Sequence, residues 1–372
     1  MRYRRTAALL LMLLLSSTSV RASCTWPAWE AFKRNFIDPQ GRVIDRSDPR
    51  LITTSEGQSY ALFFALVAGD QPTFRRLLRW TETHLAHGDL ATHLPAWLWG
   101  LNKTGQGEVL DSNSAADSDL WIAYTLSEAG RLWKIRDYQS RSALLLQQII
   151  RHEVATLPQL GPMLLPGAHG FHHDDSWTLN PSYLPPFIID RLAAQYPHQV
   201  WPAMRAATQR LLQESAPRGF APNWINWTTA GAWQEKSGSG WTGSYDAIRV
   251  YLWVGMLDPQ NPQAQALQQH FAPMADYLQQ HPLPPESINT RTLQVNGDGP
   301  VGFSAALLPL LSRQPDPSAL QRQLQRVEQQ PPAADAYYNT VLTLFGQGWL
   351  DGRYRFSPQG ELILQGSSSC QE

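Results

Sequence analysis

Two kinds of helical segment alternate along this chain, and that alternation restricts the available folds more than any other feature. Helical periodicity recurs in about twelve segments: 28–36, 55–69, 71–86, 117–134, 137–154, 183–195, 198–215, 244–256, 262–279, 301–312, 317–329 and 335–347. Those beginning at 55, 117, 244, 301 and 335 are rich in Ala, Gly, Leu, Phe and Trp almost all round, as in SYALFFALVAG and AIRVYLWVGM. Those between them carry one apolar stripe, as in FRRLLRWTETHLA. A helix that is apolar on every side belongs inside, and a striped one lies over it. Six such pairs imply an all-α (α/α)6 barrel, an inner ring wrapped by an outer ring, with the inner N-termini opening on one face. Strand signals are few and short.

At 372 residues the chain can bury a large core, and no Gly/Ser-rich or Pro-rich linker divides it. The first 22 residues read as an export signal: Arg2, Arg4 and Arg5, the apolar run Ala7 to Leu15, then Val20-Arg21-Ala22 with small residues suited to cleavage. The run is shorter than the roughly 20 residues that span a bilayer, so stable membrane insertion is not expected. The domain reading is a signal over 1–22 and one domain over 23–372, in a secreted or periplasmic protein. Cys24 and Cys370 are the two cysteines. In an oxidising compartment they either join the chain ends or remain inert thiols. Without the leader, 26 basic residues face 31 acidic ones, which argues against a nucleic-acid partner.

Three acidic residues stand at the starts of three all-apolar segments: Glu56 in TTSEGQSY, Asp117 in NSAADSDLW and Asp246 in GSYDAIRVY. Each alone is explained as a helix cap, since Thr53 and Glu56 have capping-box spacing and a carboxylate complements the helix dipole. Together they place three carboxylates on one barrel face. Glycosidic hydrolysis needs one carboxylic acid for the leaving oxygen and a carboxylate to activate water or attack carbon. Arg249, three residues after Asp246, can bind a sugar hydroxyl and keep Asp246 ionised, or simply form an ion pair. His172-His173-Asp174-Asp175 reads as a polar loop, because adjacent residues converge poorly on one metal ion and no HExxH spacing exists. SGSGWTGS before Tyr245 reads as a flexible loop. No G-x-S-x-G elbow, phosphate loop or dinucleotide fingerprint is present.

Ala116-Asp117-Ser118-Asp119, followed by Ile122-Ala123, Ala129 and Trp133, resembles the signature of glycoside hydrolase family eight. Ala116, Ser118 and Thr125 depart from it by small-for-small changes. The stretches ITTSEGQSYALFFALVAGD, LPAWLWG, EVLDSNSAADSD, SYDAIRVYLWVGM, GPVGFSAALLP and AYYNTVLTLFGQGW are similar to members of that family encoded with bacterial cellulose synthase. The resemblance implies inverting hydrolysis of a β-1,4-glucan chain, no metal and no cofactor, and a functional association with the cellulose synthase machinery. It matches Glu56 to the proton donor, Asp246 to the water-activating base, and Asp117 to a sugar-gripping residue sometimes labelled the nucleophile. It further implies substrate contacts at Trp97, Tyr245, Arg249 and Tyr338, with Trp99, Asn113, Tyr183 and Tyr337 as weaker candidates; for the Trp pair, core packing is the alternative and Trp97 is favoured for the groove.

Two other functional classes compete. A barrel that only binds polysaccharide would lack a catalytic carboxylate, and all three are present. A lyase acting on uronates would want a basic groove, and this chain is mildly acidic. Within the hydrolase reading, xylan, chitosan and mixed-linkage glucan remain alternative substrates.

Overall fold

The computed structural model describes residues 26–364; the proposed leader and both cysteines, Cys24 and Cys370, lie outside them. Thirteen α-helices occur among the described residues: α1 Pro27–Phe36, α2 Ser55–Val67, α3 Gln71–Leu85, α4 Ala116–Leu132, α5 Arg136–Glu153, α6 Pro186–Gln195, α7 Trp201–Glu214, α8 Ile248–Gly255, α9 Ala264–His270, α10 Ala272–Gln280, α11 Val301–Leu311, α12 Ser318–Gln329 and α13 Tyr337–Leu350. Each of the twelve expected segments is helical in whole or part. The segment expected over 262–279 is two helices, because Pro273 lacks the N–H that would continue the ladder and the chain turns at Phe271. That over 183–195 begins only at Pro186, after a 3₁₀ turn over Pro181–Tyr183. Strands are more numerous than the sequence suggests: among the described residues thirteen short ones form five small antiparallel sheets. None exceeds five residues, too few for period-two alternation to stand out.

Burial separates the helices as their composition requires. From Ala116 to Gly130 every residue of α4 is buried, and so is every residue of α8, whereas α12 buries only Ala319, Gln323 and Val327. Aromatic rings knit the buried helices together. Trp121 of α4 meets Phe63 of α2, Phe187 of α6, Trp253 of α8 and Phe345 of α13, with centroids 5.0–5.9 Å apart. Phe345 also lies 5.6 Å from Phe63, linking the last helix to the first of the set. Two glycines allow close approaches between helix backbones. A Cβ on Gly346 of α13 would lie 1.8 Å from the Ala305 carbonyl of α11, and one on Gly255 of α8 would lie 2.3 Å from the Leu310 amide.

The N-terminal ends of the buried helices come together. Glu56 opens α2, Asp117 opens α4 and Arg249 opens α8, and all three meet in one cluster. Tyr338 of α13 donates to the Tyr245 carbonyl at 2.6 Å, and Phe303 of α11 packs on Tyr245. At the other end, α4 and α6 are fastened to the C-terminal hairpin through Glu128. Its fully buried carboxylate accepts from Arg131 Nε at 2.9 Å, Arg191 Nε at 2.8 Å and the Leu362 amide at 3.1 Å. Removing it takes the acceptor from Arg191 Nε and the Leu362 amide, although Glu361 still meets Arg191 Nη1 at 3.0 Å, so Glu128→Ala is expected to cost about 3 kcal/mol of folding stability in denaturant unfolding.

Candidate active site

Glu56 is not held in a helix cap. Although Thr53 and Glu56 have capping-box spacing, the cap of α2 is Thr54, whose Oγ1 accepts from the Gly57 N–H at 3.0 Å. Thr53 turns the other way, donating to the Val43 carbonyl at 2.5 Å and accepting from Arg42 Nε at 2.8 Å. The Glu56 carboxylate is left free of backbone duty and reaches Arg249.

Arg249 organises the cluster. Its Nη1 donates to Glu56 Oε2, to Asp117 Oδ2 at 3.3 Å and to Tyr60 Oη at 3.0 Å. Its Nη2 donates to Asp246 Oδ1 at 2.8 Å. The guanidinium carbon stands 5.7 Å from the centre of the Tyr183 ring. Asp246 lies in the turn before α8 rather than inside that helix, yet the Arg249 amide still bonds its carbonyl, so the three-residue spacing brings the two side chains together as expected. Exposure divides the carboxylates: the Asp117 side chain is 3% exposed, whereas those of Glu56 and Asp246 are 24% and 27% exposed and reach the open side.

Three carboxylates around one cation in a low-dielectric pocket cannot all ionise cheaply. Burial pushes Glu56 up to about 7; Arg249 opposes the shift, while Asp117 and Asp246 add to it. This outweighs the downward pull of a helix N-terminus, which is worth typically 0.3–1 kcal/mol. Burial also raises Asp117, against the opposing effects of Arg249 and of the Ser118 amide, which donates to Asp117 Oδ1 at 2.8 Å. The pocket therefore offers a carboxyl group that holds its proton near neutrality, with a second exposed carboxyl group beside it, the two components that general acid–base chemistry requires.

Tyr183, Tyr245 and Tyr338 border this cluster. Tyr245 is 45% exposed, its hydroxyl donates to Glu286 Oε1 at 2.8 Å, and Tyr338 holds its carbonyl. Trp97 is half-buried, and its backbone links the Ser55 amide to the Asn113 carbonyl, at the edge of the site. Asn113 has its amide engaged: Oδ1 accepts from the Ser114 and His169 amides, and Nδ2 donates to the His169 carbonyl at 2.9 Å. Two expectations are revised. Trp99 packs away from the cluster, edge-on to Trp80 at 5.7 Å, under the Arg42 guanidinium at 4.1 Å and against the backbone at Gly107. The bulge between Leu98 and Trp99 breaks the alternation that would set its direction. Tyr337 is buried against Phe32 and Phe36, with its hydroxyl beside Gly57, so it supports α2 from behind.

Sequence reasoning missed Tyr60, although it stands one helical turn after Glu56 and so shares its face. It also missed Trp224, which stacks on Phe171 at 6.1 Å with an interplanar angle of 1° and meets Tyr183 at 5.9 Å. Its position follows from loop geometry rather than from any local motif. His172–Asp175 form a turn in which His172 stacks on Trp177 and His173 contacts Thr178 Oγ1. At the SGSGWTGS stretch, the preceding Lys236 bridges to Gly240, Trp241 lies under the Arg291 guanidinium, and Thr242–Gly243 pairs with the strand Pro285–Asn289.

Residues 2–352 match the family described as glycosyl hydrolases family 8. The chain belongs to this family. It is 51% identical to an endoglucanase of Escherichia coli K12, over 96% of each chain. It is similar to the crystal structure of an endo-1,4-D-glucanase from Vibrio fischeri ES114, with 45% identity, a TM-score of 0.89 and coverage of 92% of this chain and 99% of that one. A family 8 endo-β-1,4-glucanase from an Achatina fulica gut metagenomic library matches at 26% identity and a TM-score of 0.73, over 89% and 98% of the two chains. The protein is thus a glycoside hydrolase whose fold is the family's (α/α)6 barrel.

The raised Glu56 group makes a testable statement about this family 8 hydrolase. A carboxyl group whose folded pKa exceeds its unfolded value stabilises the fold below the unfolded value, and that stability is lost as pH rises from about 4.5 to about 7. Glu56→Gln, which cannot ionise, is expected to be more stable than wild type at pH 8 by on the order of 2–3 kcal/mol and to match it at pH 4, in denaturant unfolding at the two pH values.

Proposed function

We propose that this enzyme is an endo-acting β-1,4-glucanase that inverts configuration, with Glu56 as general acid, Asp246 as the base that activates water, and Asp117 gripping the sugar at the point of cleavage. The observation that carries the assignment is the shared guanidinium. Glu56 and Asp246 take opposite terminal nitrogens of Arg249 rather than one site, which holds them apart, and an inverting pair needs room for a water between acid and base. Asp246 is also far more exposed than Asp117, so a water can reach it.

In this reading Glu56 gives its proton to the glycosidic oxygen as the C1–O bond breaks. Asp246 takes a proton from the water whose oxygen bonds to C1 on the opposite face. Arg249 steadies both carboxylates and stays protonated throughout. Afterwards Glu56 is ionised and Asp246 protonated, and exchange with solvent resets them. Tyr183, Tyr245, Tyr338 and Trp97 would contact the sugar rings. The names of the relatives support β-1,4-glucan as substrate. The resemblance to members encoded with cellulose synthase supports action on cellulose made by that machinery. The leader-like first 22 residues support export, and no described helix is long and apolar enough to cross a membrane.

Proton NMR of a cello-oligosaccharide digest tests the stereochemistry: the first new reducing ends are expected to be α, and initial β ends would overturn the inverting assignment. Glu56→Gln and Asp246→Asn should each lower kcat by about 10²–10⁴-fold. Because the acid must hold its proton, wild-type kcat should fall as pH rises through about 7.

A further inference from the structure

Asp119, two residues past Asp117, is used by none of this chemistry, yet it is fully buried at the start of α4. It faces Glu153, the equally buried last residue of α5, close enough for the two carboxyl groups to hydrogen-bond whenever one of them carries a proton. Neither oxygen of Asp119 meets an N–H or O–H of any other described residue, and Glu153 Oε2 likewise has no other partner. The charged and titratable groups around the pair are Asp117 on α4, Arg249 of α8 and Glu56 of α2 beyond it, and the exposed His152 and His169. None of these pairs with Asp119 or Glu153. Two carboxyl groups in contact without a cation hydrogen-bond only when a proton lies between them.

The pair is tied to the wall of the cleft. Ser114 Oγ donates to Glu153 Oε1 at 2.5 Å and accepts from the Ala168 amide at 3.0 Å. The preceding residue, Asn113, clasps His169 through both its amide N–H and its carbonyl. The Asn113 carbonyl in turn holds the Trp97 amide at 2.7 Å, and Pro166 accepts from the first amide of α4 at 3.0 Å. Two loops and the helix end that carries Asp117 thus converge on one carboxyl pair.

We propose that Asp119 and Glu153 share a buried proton, and that this proton positions the Asn113–Ser114 wall and the Asp117 turn for sugar binding. The pair contacts no reacting atom, so both are positioning residues. Burial pushes Glu153 up to about 8 and Asp119 well above the usual carboxylate range, so the pair holds its proton at neutral pH, Glu153 begins to ionise as pH rises through about 8, and the last proton stays on Asp119 to higher pH. Loss of that last proton puts two like charges in contact, breaks their hydrogen bond and loosens the wall. The effect on sugar rests on the glucan reading above; the shared proton does not.

Glu153→Gln tests this, because its amide supplies a hydrogen to Asp119 at every pH while its carbonyl still accepts from Ser114. In a Glu56→Gln background, which removes the Glu56 titration, calorimetric Kd values for cellopentaose should weaken about fivefold or more between pH 6.5 and about pH 10. With Glu153→Gln added, binding at pH 6.5 should stay within about threefold and the alkaline loss should vanish. Infrared titration of sugar-free protein should show a protonated-carboxyl C=O band at neutral pH that weakens as pH rises through about 8 and is missing when either Glu153→Gln or Asp119→Asn is added. The same alkaline weakening with and without Glu153→Gln, or no such band in the Glu56→Gln protein at neutral pH, overturns the proposal. Failure of Glu56→Gln to bind cellopentaose at any pH would instead count against the glucan reading, and the infrared result would still decide the shared proton.

Discussion

One guanidinium with too many carboxylates around it sets the terms for this structure. Arg249 is almost completely buried, and Glu56, Asp117 and Asp246 all bond to it from different parts of the chain. A lone buried cation would be costly, and so would any of the three anions alone. The charges tolerate one another only as a set, and with three negative groups for one positive group the set is balanced most cheaply by keeping a proton. Burial places that proton on Glu56 near neutrality. The acid role proposed for Glu56 is therefore a property of the whole cluster, and it depends on the helices that bring the cluster together.

Those helices are held by apolar packing that has no chemistry of its own. Trp121 touches four other buried helices, while Tyr60 both packs edge-on against Trp121 at 5.8 Å and offers its hydroxyl to Arg249. The aromatic core thus continues directly into the floor of the polar site. This links rigidity to function, because a charged cluster keeps its perturbed proton affinities only while its distances are fixed. The Glu128 anchor serves the opposite end of α4, so the helix that carries Asp117 is fastened at both ends.

Much of this was legible in the sequence because helix burial is written in composition. A segment such as SYALFFALVAG has no polar stripe to present to water, and its place inside follows. The three carboxylates and Arg249 were legible because each stands at the start of such a segment. Three kinds of feature were not. Thr53 and Thr54 are adjacent and chemically alike, and which of them caps α2 depends on Val43 and Arg42 reaching Thr53 from a distant loop. Trp99 was drawn off by a bulge that no residue pattern announces. Asp119 and Glu153 lie 34 positions apart, and only the packing of α4 on α5 makes a pair of them.

Tyr245 shows what such tethering does at an exposed surface. Its hydroxyl is bound to Glu286, its carbonyl to Tyr338 and its ring edge to Phe303, so an outward-facing aromatic side chain is already fixed from three sides. An untethered tyrosine would surrender rotameric freedom when a pyranose settled on it, at roughly 0.5–1.5 kcal/mol for an immobilised side chain. Here folding has already met that entropic charge. If Tyr245 contacts the glucan as proposed, successive sugar rings can pass over it without the surface having to reorder beneath each one.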